Sequence, residues 1–167
     1  MLDRVRRFVA VTADPFARAN AAGHVTGSAF VIDVRWRVLL VHHRKLGIWV
    51  QPGGHADGER LAHLVALREA REETGLADLA FHPGLRLADG SPALLDVDVH
   101  PIPARPGEPA HEHFDLRFLL ATARPDAIDV AAAEVLALAW FELEDLAGVA
   151  DPGVIRAAAK VAALAAR

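Results

Sequence analysis

Apolar and polar positions alternate most regularly over residues 112–122. Phe114, Leu116 and Phe118 point one way and His113, Asp115 and Arg117 the other, the period of a strand with one buried face. Leu95, Val97 and Val99 alternate in the same way with Asp96, Asp98 and His100, inside an extended stretch over 93–100. Pairing of the two as an antiparallel hairpin would merge their polar faces. Asp96, Asp98, His100, His111, His113, Asp115 and Arg117 would then share one patch.

The rest of the chain reads as an alternation of strands and helices. Residues 2–20 read as helix, broken near Asp14-Pro15, where Asp14 caps a second short helix with Pro15 in its first turn. Residues 24–33 form a strand. So do 37–43, whose Val38-Leu39-Leu40-Val41 run predicts burial on both faces, with a turn over 34–36. A short extended piece, 46–51, stops at Pro52. Residues 59–74 form a helix whose first half (Leu61, Ala62, Leu64, Val65, Ala66, Leu67) is apolar nearly all round, which predicts burial between layers. A β-like segment follows at 80–87. A Pro/Gly-rich loop, 101–110, is composed like a substrate-facing lid. A strand at 135–141, a short helix at 143–148 and a C-terminal helix at 152–166, opened by Asp151-Pro152, complete the chain.

Chemistry concentrates where the central helix ends. Glu69, Glu72 and Glu73 fall within an arc of roughly 100° on a helix of about 3.6 residues per turn. Like charges this close repel, beside a helix C-terminus that is already negative. A divalent cation offsets that cost, and hard oxygen donors suit Mg²⁺ or Mn²⁺. A solvated acidic helix face is the plain alternative. Against it stand Arg68 directly before the cluster, Gly75 at the closing position of the helix, and the Gly53-Gly54 pair one helix length upstream, where a backbone carbonyl can join a metal shell.

These residues resemble the Nudix box, G-x5-E-x7-R-E-U-x-E-E-x-G-U with U apolar. Gly54, Arg68, Glu69, Glu72, Glu73, Gly75 and Leu76 fall on the pattern, and Ala70 takes the first U position. One position departs from it: Arg60 stands where the first glutamate is expected, and Glu59 lies one residue early. A one-residue insertion in the turn before the helix reconciles the two, with the supporting contact of that glutamate to the helix and its arginine in question. The resemblance implies a single α+β domain, a mixed β-sheet between helices in an α/β/α sandwich. It implies Mg²⁺-dependent hydrolysis of a diphosphate bond in a nucleoside diphosphate linked to another moiety. Glu69, Glu72, Glu73 and the Gly54 carbonyl would hold the metal, and Arg68 would orient the carboxylates. For the general base it leaves Glu69 and Glu134, with Glu108 or Glu112 as further candidates.

Composition narrows the setting. The chain has 167 residues, a length for one domain, with residues 1–22 as a helical preface. A net charge of −4 argues against nucleic acid as the partner. No apolar run reaches the ~20 residues of a membrane span. No signal-peptide core is visible and there is no cysteine, features compatible with the cytoplasm. Absence of cysteine also argues against isoprenoid diphosphate isomerisation within the same superfamily. A Nudix-fold module that senses nucleotides without hydrolysing them is the alternative of a different class; the intact glutamate set argues against it. RNA decapping is disfavoured by the acidic charge.

The His/Asp patch has two readings. Either it lines the substrate cleft, with His111, His113, Asp115 and Arg117 contacting phosphate or ribose, or it is the solvent side of a half-exposed hairpin. His-x-His on one strand face also suits a transition metal. Trp49, beside the glycines, suits either base stacking or the core; Trp36 and Trp140 read as packing residues, and His42, His43, His63 and His82 carry no assigned chemistry. The apolar, Ala-rich C-terminal helix suits either a homodimer interface or packing on its own sheet.

Overall fold

The computed structural model describes residues 1–130 and 135–167. Its frame is set by β1 (Gly23–Ile32), fully buried along its length, which pairs in parallel with β7 (His111–Ala121) over ten residues. β2 (Val38–His43), β3 (Ile48–Val50) and β8 (Val135–Phe141) extend the sheet on one side. β6 (Asp96–Ile102) and the two-residue β5 (Ala80–Phe81) pair with β7 on the other. β4 (Gly53–His55) pairs antiparallel with the first half of β1. The result is one mixed sheet of eight strands. α1 (Leu2–Val11) and α2 (Ala62–Thr74) lie on one face and α3 (Pro152–Ala165) on the other. This is the α+β sandwich expected from the sequence.

Strand alternation explains the layering. Odd positions of β1 (Val25, Ala29, Val31) join Phe114, Phe118 and Leu120 of β7 under α1 and α2. On the other face Phe30 and Ile32 join Leu119, Val154, Ala157 and Val161 under α3. That second face is apolar only where α3 covers it. Beyond the helix the same face carries His24, Thr26 and Ser28 of β1, and these polar positions floor the site described below.

The hairpin of β6 and β7 forms and merges the polar faces as expected, and its register sets Asp96 opposite Arg117, Asp98 opposite Asp115 and His100 opposite His113. Other boundaries moved. The helix expected after Asp14 is absent: the Asp14 carboxylate accepts the Phe16 N–H at 3.3 Å as a cap would, but the Pro15 carbonyl is taken by the Val25 N–H of β1 at 2.7 Å. α2 begins at Ala62, not residue 59, and its first half is not buried all round: Leu61 and Leu64 are 52% and 38% exposed. The segment 80–87 keeps only β5 as strand. α3 opens as its sequence implies, with Asp151 accepting the Gly153 and Val154 N–H groups at 2.6 and 3.0 Å. Its apolar face packs on its own sheet.

Candidate active site

The polar face of the sheet and the acidic end of α2 open into one cavity of about 610 Å³. The sheet supplies a floor in three rows across β1, β7 and β6: His24–His113–His100, then Thr26–Asp115–Asp98, then Ser28–Arg117–Asp96. α2 lies on the opposite face, so its glutamates reach the cavity past β4, the short strand made of Gly53, Gly54 and His55. Gly54 is required there by close approach. A Cβ at this position would stand 2.6 Å from Cδ of Glu69.

The box carboxylates are held by separate contacts. Glu73 is 9% exposed and accepts the Gly53 N–H at 3.0 Å. Arg68 lies 2.8 Å from Glu69 and 3.2 Å from Glu72 through one guanidinium nitrogen. Its other nitrogen donates to the His55 carbonyl at 2.7 Å, so one side chain ties α2 to β4. Burial pushes the Glu69 carboxyl above the usual range, with Arg68 opposing and Glu72 reinforcing. A buried carboxylate beside further carboxylates, with one arginine to serve them and a glycine keeping a side chain out of the way, is a donor set that fits a hard divalent cation.

The floor is tightly bonded. Asp115 is buried and accepts from Thr26 Oγ1 at 3.1 Å, Ser28 Oγ at 2.7 Å, Gln51 Nε2 at 3.3 Å and Arg117 Nε at 2.9 Å. Arg117, also buried, donates to the Gly153 carbonyl at 2.8 Å and lies 3.4 Å from Asp98 and 3.6 Å from Asp96. Arg156 and Lys160 of α3 complete the network on Asp96 and Asp98. A hydrogen bond from His100 at 3.0 Å, with Arg156 and Arg117 nearby, holds the Asp98 carboxyl far below the usual carboxylate range. Burial alone would raise Asp96, but Arg156 and Lys160 outweigh it and hold that carboxyl low.

At the β4 end the floor becomes a histidine cluster. Burial, then the His55 and His111 rings, lower His24 to about 4. Burial and the surrounding rings of His24, His55, His100 and His111 lower His113 to about 2. His55 is lowered too, by burial and then Arg18.

The sequence matches the NUDIX domain family over residues 23–164. The chain belongs to the Nudix hydrolase family. No curated protein matches the sequence. Among solved structures, an Ap4A hydrolase from C. elegans in a binary complex is similar at 19% identity and TM-score 0.65, covering 85% of this chain and 97% of its own. A NUDIX family hydrolase from Clostridium perfringens aligns at 22% identity and TM-score 0.66, covering 84% and 97%. A MutT NUDIX hydrolase from Burkholderia pseudomallei aligns at 25% and TM-score 0.59, covering 83% and 98%.

In the Nudix box of this chain the displaced acid finds a local use. Gly54 and Arg68 keep the spacing of the pattern, so no residue is inserted between them; the turn before α2 passes through two successive left-handed residues, Asp57 (φ 48°) and Gly58 (φ 96°). Glu59 then accepts the backbone N–H groups of Arg60 and Leu61 at 2.7 and 2.8 Å. Arg68 is supported instead by the His55 carbonyl, with Asp57 at 3.9 Å.

Of the residues singled out from the sequence, Gly54, Arg68, Glu69, Glu72, Glu73, Glu108, His113, Asp115 and Arg117 line the Nudix cleft. His111 stands behind His113 and lines a neighbouring hollow. Glu112 is held away from the cleft by Arg4 at 2.7 Å. Glu134 lies outside the described residues. Trp49 stacks on His42 and meets Phe141 edge-on, a packing role. Sequence reading missed His24, His55, Thr26, Ser28 and Gln51. The signal for the β1 residues was present, since His24, Thr26 and Ser28 alternate with Val25, Gly27 and Ala29.

Proposed function

We propose that this chain hydrolyses a diphosphate bond in a nucleoside-diphosphate-type small molecule, using a Mg²⁺ or Mn²⁺ ion held by Glu69, Glu72, Glu73 and the Gly54 carbonyl. The carrying observation is that the box carboxylates and the polar sheet face share one cavity. A volume of about 610 Å³ is in the range of small-molecule sites. When bound, the cation would neutralise phosphate charge and favour formation of a nucleophilic hydroxide.

The chain's own residues supply the rest. Arg68 orients Glu69 and Glu72, and the Gly53 N–H orients Glu73. Glu69, beside the cavity, is the assigned general base through the carboxylate oxygen it does not give to the metal. Arg18, Lys45 and Arg105 line the cavity and carry the charge that attracts phosphate groups. His113 faces the same space, available to phosphate or ribose. Asp115 and Arg117 position the floor: their polar atoms are engaged with neighbours, so they hold the cavity's shape without contacting substrate.

The test is release of phosphate or nucleoside monophosphate from a panel of diphosphate-linked compounds, with and without Mg²⁺ or Mn²⁺. Dinucleoside polyphosphates belong on the panel because the C. elegans relative is an Ap4A hydrolase. Metal-dependent turnover lost in a Glu72→Gln/Glu73→Gln double variant is expected. Nucleotide binding with no turnover of any compound would replace this reading with the nucleotide-sensing one.

A further inference from the structure

His24, His55 and His113 each bring one ring nitrogen to within 4.8 Å of the others, and they are the one such group of three potential ligands found among the described residues. They come from three strands, β1, β4 and β7. His24 is 1% exposed, and neither of its ring nitrogens has a hydrogen-bond partner; Nε2 of His55 is likewise buried and unpartnered. Buried polar atoms are nearly always satisfied, and each one left bare costs folding free energy. Unpartnered nitrogens on two of these rings, with His113 beside them around one small space, call for a common partner. A water has only two protons to donate, so it satisfies at most two imidazole lone pairs, whereas a cation accepts lone pairs from all three rings.

The surroundings fix which nitrogen of His113 is free. His111 Nδ1 lies 2.9 Å from the Pro109 carbonyl, which can only accept, so that nitrogen carries the proton. With one proton per ring, His111 Nε2 is an acceptor, and His113 Nε2 at 3.3 Å donates to it. Nδ1 of His113 is then left with its lone pair. A histidine whose other nitrogen is tied by a hydrogen bond in this way is the usual arrangement around a ligated metal.

We propose that His24, His55 and His113 form a three-histidine site for a zinc-class divalent ion, separate from the carboxylate site on α2. Imidazole donors suit Zn²⁺, Cu²⁺ and Ni²⁺ rather than Mg²⁺. Ligands on a tetrahedral zinc stand roughly 3.4 Å apart with bonds of about 2.1 Å, so small ring rotations close the present spacing. Three protein ligands leave one position open, and His55 and His113 both line the cleft, so that position is reached by water. The site touches the proposed hydrolytic machinery at two points, the substrate space that His113 faces and the clamp on the box glutamates. His55 binds through its side chain, and its carbonyl accepts the hydrogen bond of Arg68, the clamp on Glu69 and Glu72.

Titration of the full chain with Co²⁺, followed by visible absorption in excess Mg²⁺, reads this site directly. Excess Mg²⁺ occupies carboxylates, and the d–d band of Co²⁺ reports low-coordinate nitrogen ligation. The expected result is one tightly bound Co²⁺ per chain, retained in Glu72→Gln/Glu73→Gln and weakened at least about tenfold in both His55→Gln and His113→Gln. Thermal unfolding with and without Zn²⁺ gives a second readout: Zn²⁺ raises the midpoint of the wild type and leaves the histidine variants unmoved. His55 is only partly buried, so His55→Gln carries the test should His113→Gln not fold. No band in the wild type, a band lost with the box glutamates, or one unaltered in the histidine variants would overturn the proposal.

Discussion

Gly54 and Glu69 show how far one residue position sets the chemistry. The three atoms nearest a Cβ on Gly54 all belong to the far end of the flexible Glu69 side chain. Gly54→Ala therefore displaces the carboxylate at little cost to the fold. Turnover should fall by an order of magnitude or more while the thermal midpoint stays within a few degrees; an unchanged kcat would remove Glu69 from the reacting centre. Glu73→Gln should lower kcat by orders of magnitude with the fold intact, since the amide keeps an oxygen for the Gly53 N–H but loses the charge. Asp115→Asn should act differently. Its carboxylate accepts from two hydroxyls and Arg117, so the neutral variant leaves a buried guanidinium undercompensated, and stability falls by about 3 kcal/mol. Chemical denaturation measures that loss. The metal-ligand candidates were legible from the sequence because they share one helix arc, whereas the partners of Asp115 lie 87 and 89 positions away.

At the scale of elements, α3 decides where the cleft ends. Its apolar face covers Phe30, Ile32 and Leu119, while Arg156 and Lys160 reach the acids of β6. Asp151→Ala removes the bonds to Gly153 and Val154 N–H and should cost about 1 kcal/mol. For a domain of this size that lowers the thermal midpoint by roughly 2–4 °C; no shift would mean the helix start is held by Pro152 and packing alone. The start of α3 was readable because Asp-Pro is a local signal. The failure at Asp14 is the converse case. Asp14-Pro15 carries the same dipeptide and the same bond to the N–H two residues on, but the Pro15 carbonyl goes to Val25 of β1 and no helix forms. The half-exposed start of α2 is a tertiary effect: an all-apolar arc met a sheet wide enough to cover only part of it.

For the whole molecule, the histidine cluster links folding to pH. In the unfolded chain each ring takes up a proton near pH 6.5. In the fold His24 does so only at about 4 and His113 at about 2. Between pH 6.5 and 4 the unfolded state binds more protons, so stability is greatest above pH 7 and declines as pH falls through 6.5 toward 4. The low-lying Asp96 and Asp98 add a separate loss below the ordinary carboxylate range. Urea unfolding at pH 7.5 and 5 should give a lower free energy at the acid pH. Equal values would mean that the rings keep their ordinary proton affinity. His113→Gln should flatten the dependence. No helix among the described residues is long and apolar enough to cross a membrane.

What the sequence determined by itself was local and periodic. It held the strands of period two, the glutamate arc of α2, the capping of α3, the shared polar face of the β6–β7 hairpin and the box that places the chain in its family. Each rests on residues within one element or two adjoining ones, where geometry follows from chain spacing. Only the tertiary structure decided that the acidic end of α2, on one side of the sheet, shares a cavity with the polar face on the other. It does so because β4 is two glycines and a histidine, too slight to separate them. Only tertiary structure gathered His24, His55 and His113, since the parallel pairing of β1 with β7 joins positions 89 apart, and no local rule carries a contact over that distance.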